Sequence, residues 1–201
     1  TGLLSHSAFV QQSERILAAD PQGQQNGEYA MIYFDILRFK AINDRFGVSE
    51  GDRLLTYIAN GLASHITHGE VACRLAADQF ALLLHRSGEK LQSFVSNYLK
   101  AVESYDLSFE IVSNVGIYII TEQGLSVDAM LDRAILAQGS IKGSYVTRIN
   151  YYSEEMRSAM LGEQEIIGNA GTALAGHQFV VFFQPQYDHS LSLIHISEPT
   201  R

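Results

Sequence analysis

Residues Tyr29-Ala-Met-Ile-Tyr-Phe34 form an almost unbroken apolar run that ends at Asp35. A strand with one face in water alternates apolar and polar residues, so a run without alternation belongs to a central strand covered on both faces. The rest of the chain must then supply strands for both edges and helices for both faces.

The remaining pattern does so. Phe9, Val10, Ser13, Ile16 and Leu17 recur at helical spacing up to Asp20-Pro21, and a polar loop over 22–27 follows. Residues 37–46 read as a short helix stopped by Gly47. Ser49-Glu50-Gly51-Asp52 reads as a capping box opening a helix through Leu54, Leu55, Ile58, Leu62 and Ile66. The apolar runs 71–75 and 80–84 have hairpin spacing across Ala76-Ala77-Asp78-Gln79. A helix over 91–105, a strand over 109–120, a helix over 127–140 and a strand over 146–151 complete an α/β sandwich, with a mixed, mostly antiparallel central sheet and flanking helices. Beyond Ser153 a helical stretch through Met156, Met160, Ile166, Ile167 and Leu174 leads to another apolar run, 179–183.

Composition narrows the partners. Apolar residues at 46% and charged residues at 18% suit a soluble globular chain. The net charge of −8 repels both a nucleic-acid backbone and anionic lipid, so neither is an expected partner. A small anion remains accessible to a local cluster of lysines and backbone amides. The single Cys73 lies in an apolar run and reads as a buried hydrophobe. No apolar stretch is long enough to span a bilayer and no signal peptide is present, so a cytoplasmic piece without membrane contact is expected. It begins at Thr1, not Met, and is expected to be a piece of a longer parent protein, whose other parts are free to anchor it to a membrane.

Three segments together resemble the GGDEF family, the diguanylate cyclases of cyclic-di-GMP signalling. Thr1-Gly2-Leu3 is similar to that family's opening motif. Asp35-Ile36-Leu37-Arg38-Phe39-Lys40-Ala41-Ile42-Asn43-Asp44, with Gly51-Asp52, resembles its Asp-x-Asp-x-Phe-Lys-x-Ile-Asn-Asp run and Gly-Asp partner. Ala76-Ala77-Asp78-Gln79-Phe80 stands where the Gly-Gly-Asp-Glu-Phe hairpin belongs. The resemblance covers residues 1–152 and implies the palm-like fold of nucleotidyl cyclases. It also implies GTP as ligand, held between two subunits facing each other. Magnesium would be held by Asp35, the Ile36 carbonyl and Asp78, since hard cations prefer oxygen donors. Lys40 would contact phosphate, and Asn43 and Asp52 would read the guanine edge, as an amide and a carboxylate can. Asp52 is equally accounted for by the capping box.

The pattern is broken in several places. Ala76 and Ala77 replace glycines that permit positive φ and close ligand approach, at a cost of about 1 kcal/mol where an alanine must adopt that geometry. Gln79 replaces an acid, and Leu37 replaces the second acid of the Asp-x-Asp run. The cations expected near the end of the last long helix fall on Gly139 and Gly143, with Lys142 next door as a partial substitute. Thr67-His68-Gly69-Glu70 stands in place of the Arg-x-x-Asp product-inhibition motif. These losses predict a degenerate domain without cyclase activity, a GTP-binding or regulatory module. Two alternatives stay open: a slow cyclase in which Asp78 is catalytic, and a ligand-free interaction or dimerisation module.

The stretch 174–188 resembles the first strand of an EAL domain, the cyclic-di-GMP phosphodiesterase. The expected organisation is therefore a GGDEF-like domain over 1–152, a connecting helix over 153–176 and the start of an EAL domain over 177–190. Residues 191–201 leave the family pattern and are expected to be foreign or disordered. The adjacent EAL domain of the parent is the expected partner. His65 and His68, one helical turn apart, read as a solvated helix end.

Overall fold

The computed structural model describes residues 1–108, 110–176 and 178, and the backbone of 185–187 and 194–196. The chain divides into two units, Thr1–Arg157 and Ser158–Arg201. In order, the first unit contains α1 (His6–Ala19), α2 (Pro21–Gln25), β1 (Tyr29–Ile36), α3 (Phe39–Phe46), α4 (Val48–His65), β2 (Val71–Ala76), β3 (Gln79–Leu84), α5 (Gly88–Glu103), β4 (Ser113–Ile120), α6 (Val127–Gly139) and β5 (Ile149–Tyr151). Helix α7 (Glu154–Ala175) begins at its end.

All eight residues of β1 are buried. It sits at the centre of a five-stranded sheet of order β2-β3-β1-β4-β5. Its pairings with β3 and β4 are antiparallel, and β4 pairs with β5 in parallel, which gives the expected mixed, mostly antiparallel sheet. Side chains alternate across the pleat, so the run feeds two cores. Ala30, Ile32, Phe34 and Ile36 pack with Leu54, Leu55, Ile58 and Leu62 of α4 and Leu91, Val95 and Leu99 of α5. Tyr29, Met31 and Tyr33 pack with Phe9 and Leu17 of α1 and Val127, Met130 and Ala134 of α6.

The helices start where their caps allow. The Ser5 hydroxyl accepts from the Ala8 N–H in α1, and that of Ser126 accepts from the Ala129 N–H in α6. Two local expectations need correction. The segment 22–27 is not all loop: Asp20 caps α2 by accepting from the Gly23 N–H at 2.9 Å, and Pro21 takes the first helical position, where its missing N–H costs nothing. The capping box at Ser49 does not form. Helix α4 starts one residue after Gly47, whose φ of +88° turns the chain directly out of α3, leaving Ser49 already inside the helix. Strands β4 and β5 also begin later than expected, at Ser113 and Ile149.

Gly116 in β4 decides how close α6 lies. A Cβ there would collide with the Ala134 carbonyl and the Gln138 N–H of α6. The helix therefore rides directly on the strand backbone, at the residue opposite Tyr33 of β1. In the second unit, no described residue of α7 is buried, and Pro185–Tyr187 pairs antiparallel with Ile194–Ile196. The apolar run 179–183 lies outside the described residues.

Candidate functional site

The end of β1 meets the β2–β3 hairpin. Ala76 pairs with Gln79, leaving Ala77 and Asp78 as a two-residue loop after a bulge between Arg74 and Ala76. Ala77 has φ +39°, one of two positive-φ non-glycine residues among those described, so the lost glycine is replaced by a strained alanine and not by a reshaped turn. Arg74 holds that strain in place by donating from Nε to the Ala77 carbonyl at 2.6 Å. The tight loop aims Asp78 back at β1, where its Oδ2 accepts from the Ile36 N–H at 3.2 Å. Asp35, the Ile36 peptide and the Asp78 carboxylate are thereby brought together.

Asp35 is only 6% exposed. Its Oδ1 accepts from Gln138 Nε2 at 2.8 Å, and Lys142 Nζ lies 3.5 Å from its Oδ2. Burial raises its pKa above the ordinary carboxylate value. Lys142 opposes that rise and the Asp78 charge adds to it. The same two carboxylates, after burial, push the neighbouring Tyr33 phenol up to about 12. Lys142 reaches Asp35 because the loop after α6 is pinned over the strand end. Asn114, fully buried and opposite Asp35 in the β1–β4 register, donates from Nδ2 to the carbonyls of Ser144 and Thr147.

The other expected ligand-binding residues lie on α3 and α4. Lys40 is exposed in the first turn of α3, and Asp52 is exposed on α4. Asn43 is partly buried: its Oδ1 has no hydrogen-bond partner and faces Gly51, where a Cβ would strike it. The amide oxygen is therefore wedged against the Gly51 backbone, with no room for a methyl group between them. Ala76 and Ala77 are exposed at the hairpin tip. Gly139 and Gly143 place no side chain near Asp35, and the space around a Cβ at Gly139 is open.

Gln138 and Asn114 were missed from the sequence. A glutamine one helical turn beyond Ala134, on the apolar face of α6, was the available signal. At the Thr67–Glu70 segment, the buried Glu70 carboxylate is taken up internally. It accepts from Arg86 Nε and Nη2 at 2.6 and 2.7 Å and from the Thr67 N–H and hydroxyl. A groove of about 1110 Å³ runs past Arg86 between α4 and α5, lined by Tyr57, His65, Lys90, Phe94 and Tyr98. No helix among the described residues is long and apolar enough to cross a membrane.

The sheet with its flanking helices is a fold shared with known proteins. The family described as "Diguanylate cyclase, GGDEF domain" matches residues 1–143. The chain belongs to the GGDEF family. Its sequence is 27% identical over 172 residues to the biofilm architecture maintenance protein MbaA of Vibrio cholerae, covering 78% of this chain and 22% of that protein. It is 25% identical over 169 residues to the cyclic di-GMP phosphodiesterase PdeR of Escherichia coli, covering 80% and 25%. This GGDEF domain chain thus spans about a quarter of the length of those relatives. Among solved structures, the fold matches the active GGEEF domain of a diguanylate cyclase from Vibrio cholerae with a TM-score of 0.65 at 19% identity, covering 75% of this chain and 98% of that one. The GGDEF domain of DgcB from Caulobacter crescentus, in complex with c-di-GMP, matches with a TM-score of 0.64 at 22% identity, covering 75% and 92%. The palm-like cyclase fold expected from the sequence is therefore the fold observed.

Proposed function

We propose that this GGDEF domain is a catalytically degenerate, GTP-binding regulatory module of a cyclic-di-GMP signalling protein, acting on an adjacent EAL domain through α7. The observation that carries this reading is the state of Asp35: one oxygen is taken by Gln138, and the other faces Lys142. A carboxylate whose charge is answered from within its own chain has less to offer a metal ion or a nucleotide.

The donor set still fits magnesium in kind. Asp35, the Ile36 carbonyl and Asp78 are hard oxygens at one strand end, and they would hold the ion. Bound there, it would supply charge neutralisation to a triphosphate. Lys142 is its rival, a tethered cation already beside Asp35. Turnover is disfavoured because Gln79 cannot ionise, and no side chain at Gly139 or Gly143 offsets phosphate charge. Retained nucleotide recognition is supported by the orphaned Asn43 oxygen facing Gly51. The EAL partner is supported by the residues of 174–188 and by the likeness to relatives such as PdeR, named a phosphodiesterase, and the bifunctional cyclase and phosphodiesterase MucR of Pseudomonas aeruginosa.

Calorimetric titration of Mg-GTP tests the reading. Saturable heat without sustained turnover is expected, and the Asn43→Ala variant should bind at least about tenfold more weakly, the loss of a buried amide contact. Steady production of cyclic-di-GMP that Asp78→Asn abolishes would replace it with a slow cyclase. Absence of heat with millimolar Mg-GTP would leave only the interaction module.

A further inference from the structure

The corner where α1 turns into α2 approaches the far end of the sheet from Asp35, and three potential metal ligands meet there. Asp20 ends α1 and caps α2, Glu28 precedes β1, and His85 follows β3. The β1–β3 register, with Ala30 opposite Leu84, sets the last two side by side. One ligand atom from each of the three residues lies within 4.8 Å of the others. We propose that Asp20, Glu28 and His85 form a binding site for a divalent transition-metal ion of the zinc type.

The donor set selects the class of ion. One imidazole nitrogen and two carboxylates suit zinc and its neighbours, whereas magnesium and calcium take oxygens and gain nothing from an imidazole. Three protein ligands at the surface leave a position for water.

Each ligand is also oriented from behind. Asp20 Oδ1 accepts from the Gly23 N–H at 2.9 Å, and its Oδ2 accepts from the Tyr29 hydroxyl at 3.3 Å. The buried Tyr29 ring stacks on the His85 imidazole, with centroids 4.5 Å apart and planes 23° apart. Glu28 Oε1 accepts from Asn26 Nδ2 at 3.2 Å, while Oε2 faces His85 Nε2 at 3.3 Å. One buried tyrosine thus sets two of the three ligands, the kind of support that metal ligands receive in established sites. A bare His85–Glu28 ion pair would explain only one of these contacts, and the cap on α2 engages only Asp20 Oδ1. The eight-residue length of β1, about 3.3 Å per residue, separates this site from Asp35, so the two are chemically independent. A metal here would clip the α1–α2 corner to β1 and β3.

The test is calorimetric titration of zinc chloride into the whole chain, with thermal unfolding read alongside in zinc and in EDTA. One ion per chain and a raised Tm in zinc are expected. His85→Gln and Glu28→Gln should each weaken zinc binding by at least about tenfold, while Asp78→Asn leaves it unchanged and magnesium chloride does not compete. Both altered side chains are partly exposed, so an unchanged Tm in EDTA will show that the variants remain folded. Zinc binding lost in Asp78→Asn but kept in His85→Gln would place the ion at the nucleotide site and overturn the proposal. Absence of both binding heat and a Tm shift in excess zinc would overturn it equally.

Discussion

At Asp35 burial and charge pull against each other. Desolvation raises its pKa, and Lys142 beside it lowers it. Two unit charges about 4 Å apart attract by about 4 kcal/mol at the effective dielectric of a protein surface, but Lys142 is well exposed and water screens much of this. Removing the ammonium in Lys142→Ala should let magnesium chloride bind about tenfold more tightly, about 1.4 kcal/mol, as measured by calorimetry without nucleotide. Weaker magnesium binding in that variant would mean that Lys142 orders the site and does not compete for it. Asp35, Ile36 and Asp78 were singled out by their resemblance to the GGDEF motifs, and the hairpin brings the Asp78 carboxylate to the Ile36 N–H. Gln138 was not legible in the sequence, since its partner lies 103 residues away and only the packing of α6 on β4 brings the two together.

Elements were legible where burial imposed a period and less so where caps decided the boundary. The strands β1, β2 and β3 follow from their apolar runs. Helix α2 was missed because Asp20-Pro21 reads as a stop, although an N-cap acid followed by proline is equally a start. The Glu70–Arg86 contact joins the first turn before β2 to the residue pair after β3, and carries a pH signature. Burial raises the Glu70 pKa, but hydrogen bonds from Arg86 and Thr67, with the Arg86 charge, outweigh it and hold the carboxyl below its ordinary value. A lowered folded-state pKa contributes stability above the unfolded value, about 4.3, and loses it as pH falls through the folded value. Glu70→Gln leaves Arg86 without its counter-ion and should destabilise by about 3 kcal/mol at pH 7. In thermal melts the gap to the unaltered protein should close below about pH 4; a gap independent of pH would assign the loss to packing alone.

At the scale of the whole molecule, the chain divides into a sheet-centred unit, Thr1–Arg157, and a second unit, Ser158–Arg201. The layered α/β architecture followed from composition and period, while the strand order β2-β3-β1-β4-β5 is a matter of topology that local pattern does not carry. The first unit has both its cores within Thr1–Arg157, and no described residue of α7 is buried. A chain ending at Arg157 should therefore unfold cooperatively with a Tm within about 2 °C of the full chain, a shift corresponding to less than about 1 kcal/mol for a domain of this size. A larger drop in calorimetric melts would show that α7 supports the domain. Gly116 gives this architecture a mechanical side. Because α6 rests on bare strand backbone, its position along β4 is indexed as a follower is by a cam, and Gln138 and Lys142 travel with it. A side chain at position 116 would lift the helix and part Gln138 from Asp35, so the fit of a backbone on a backbone also sets which hydrogen bond the buried carboxylate keeps.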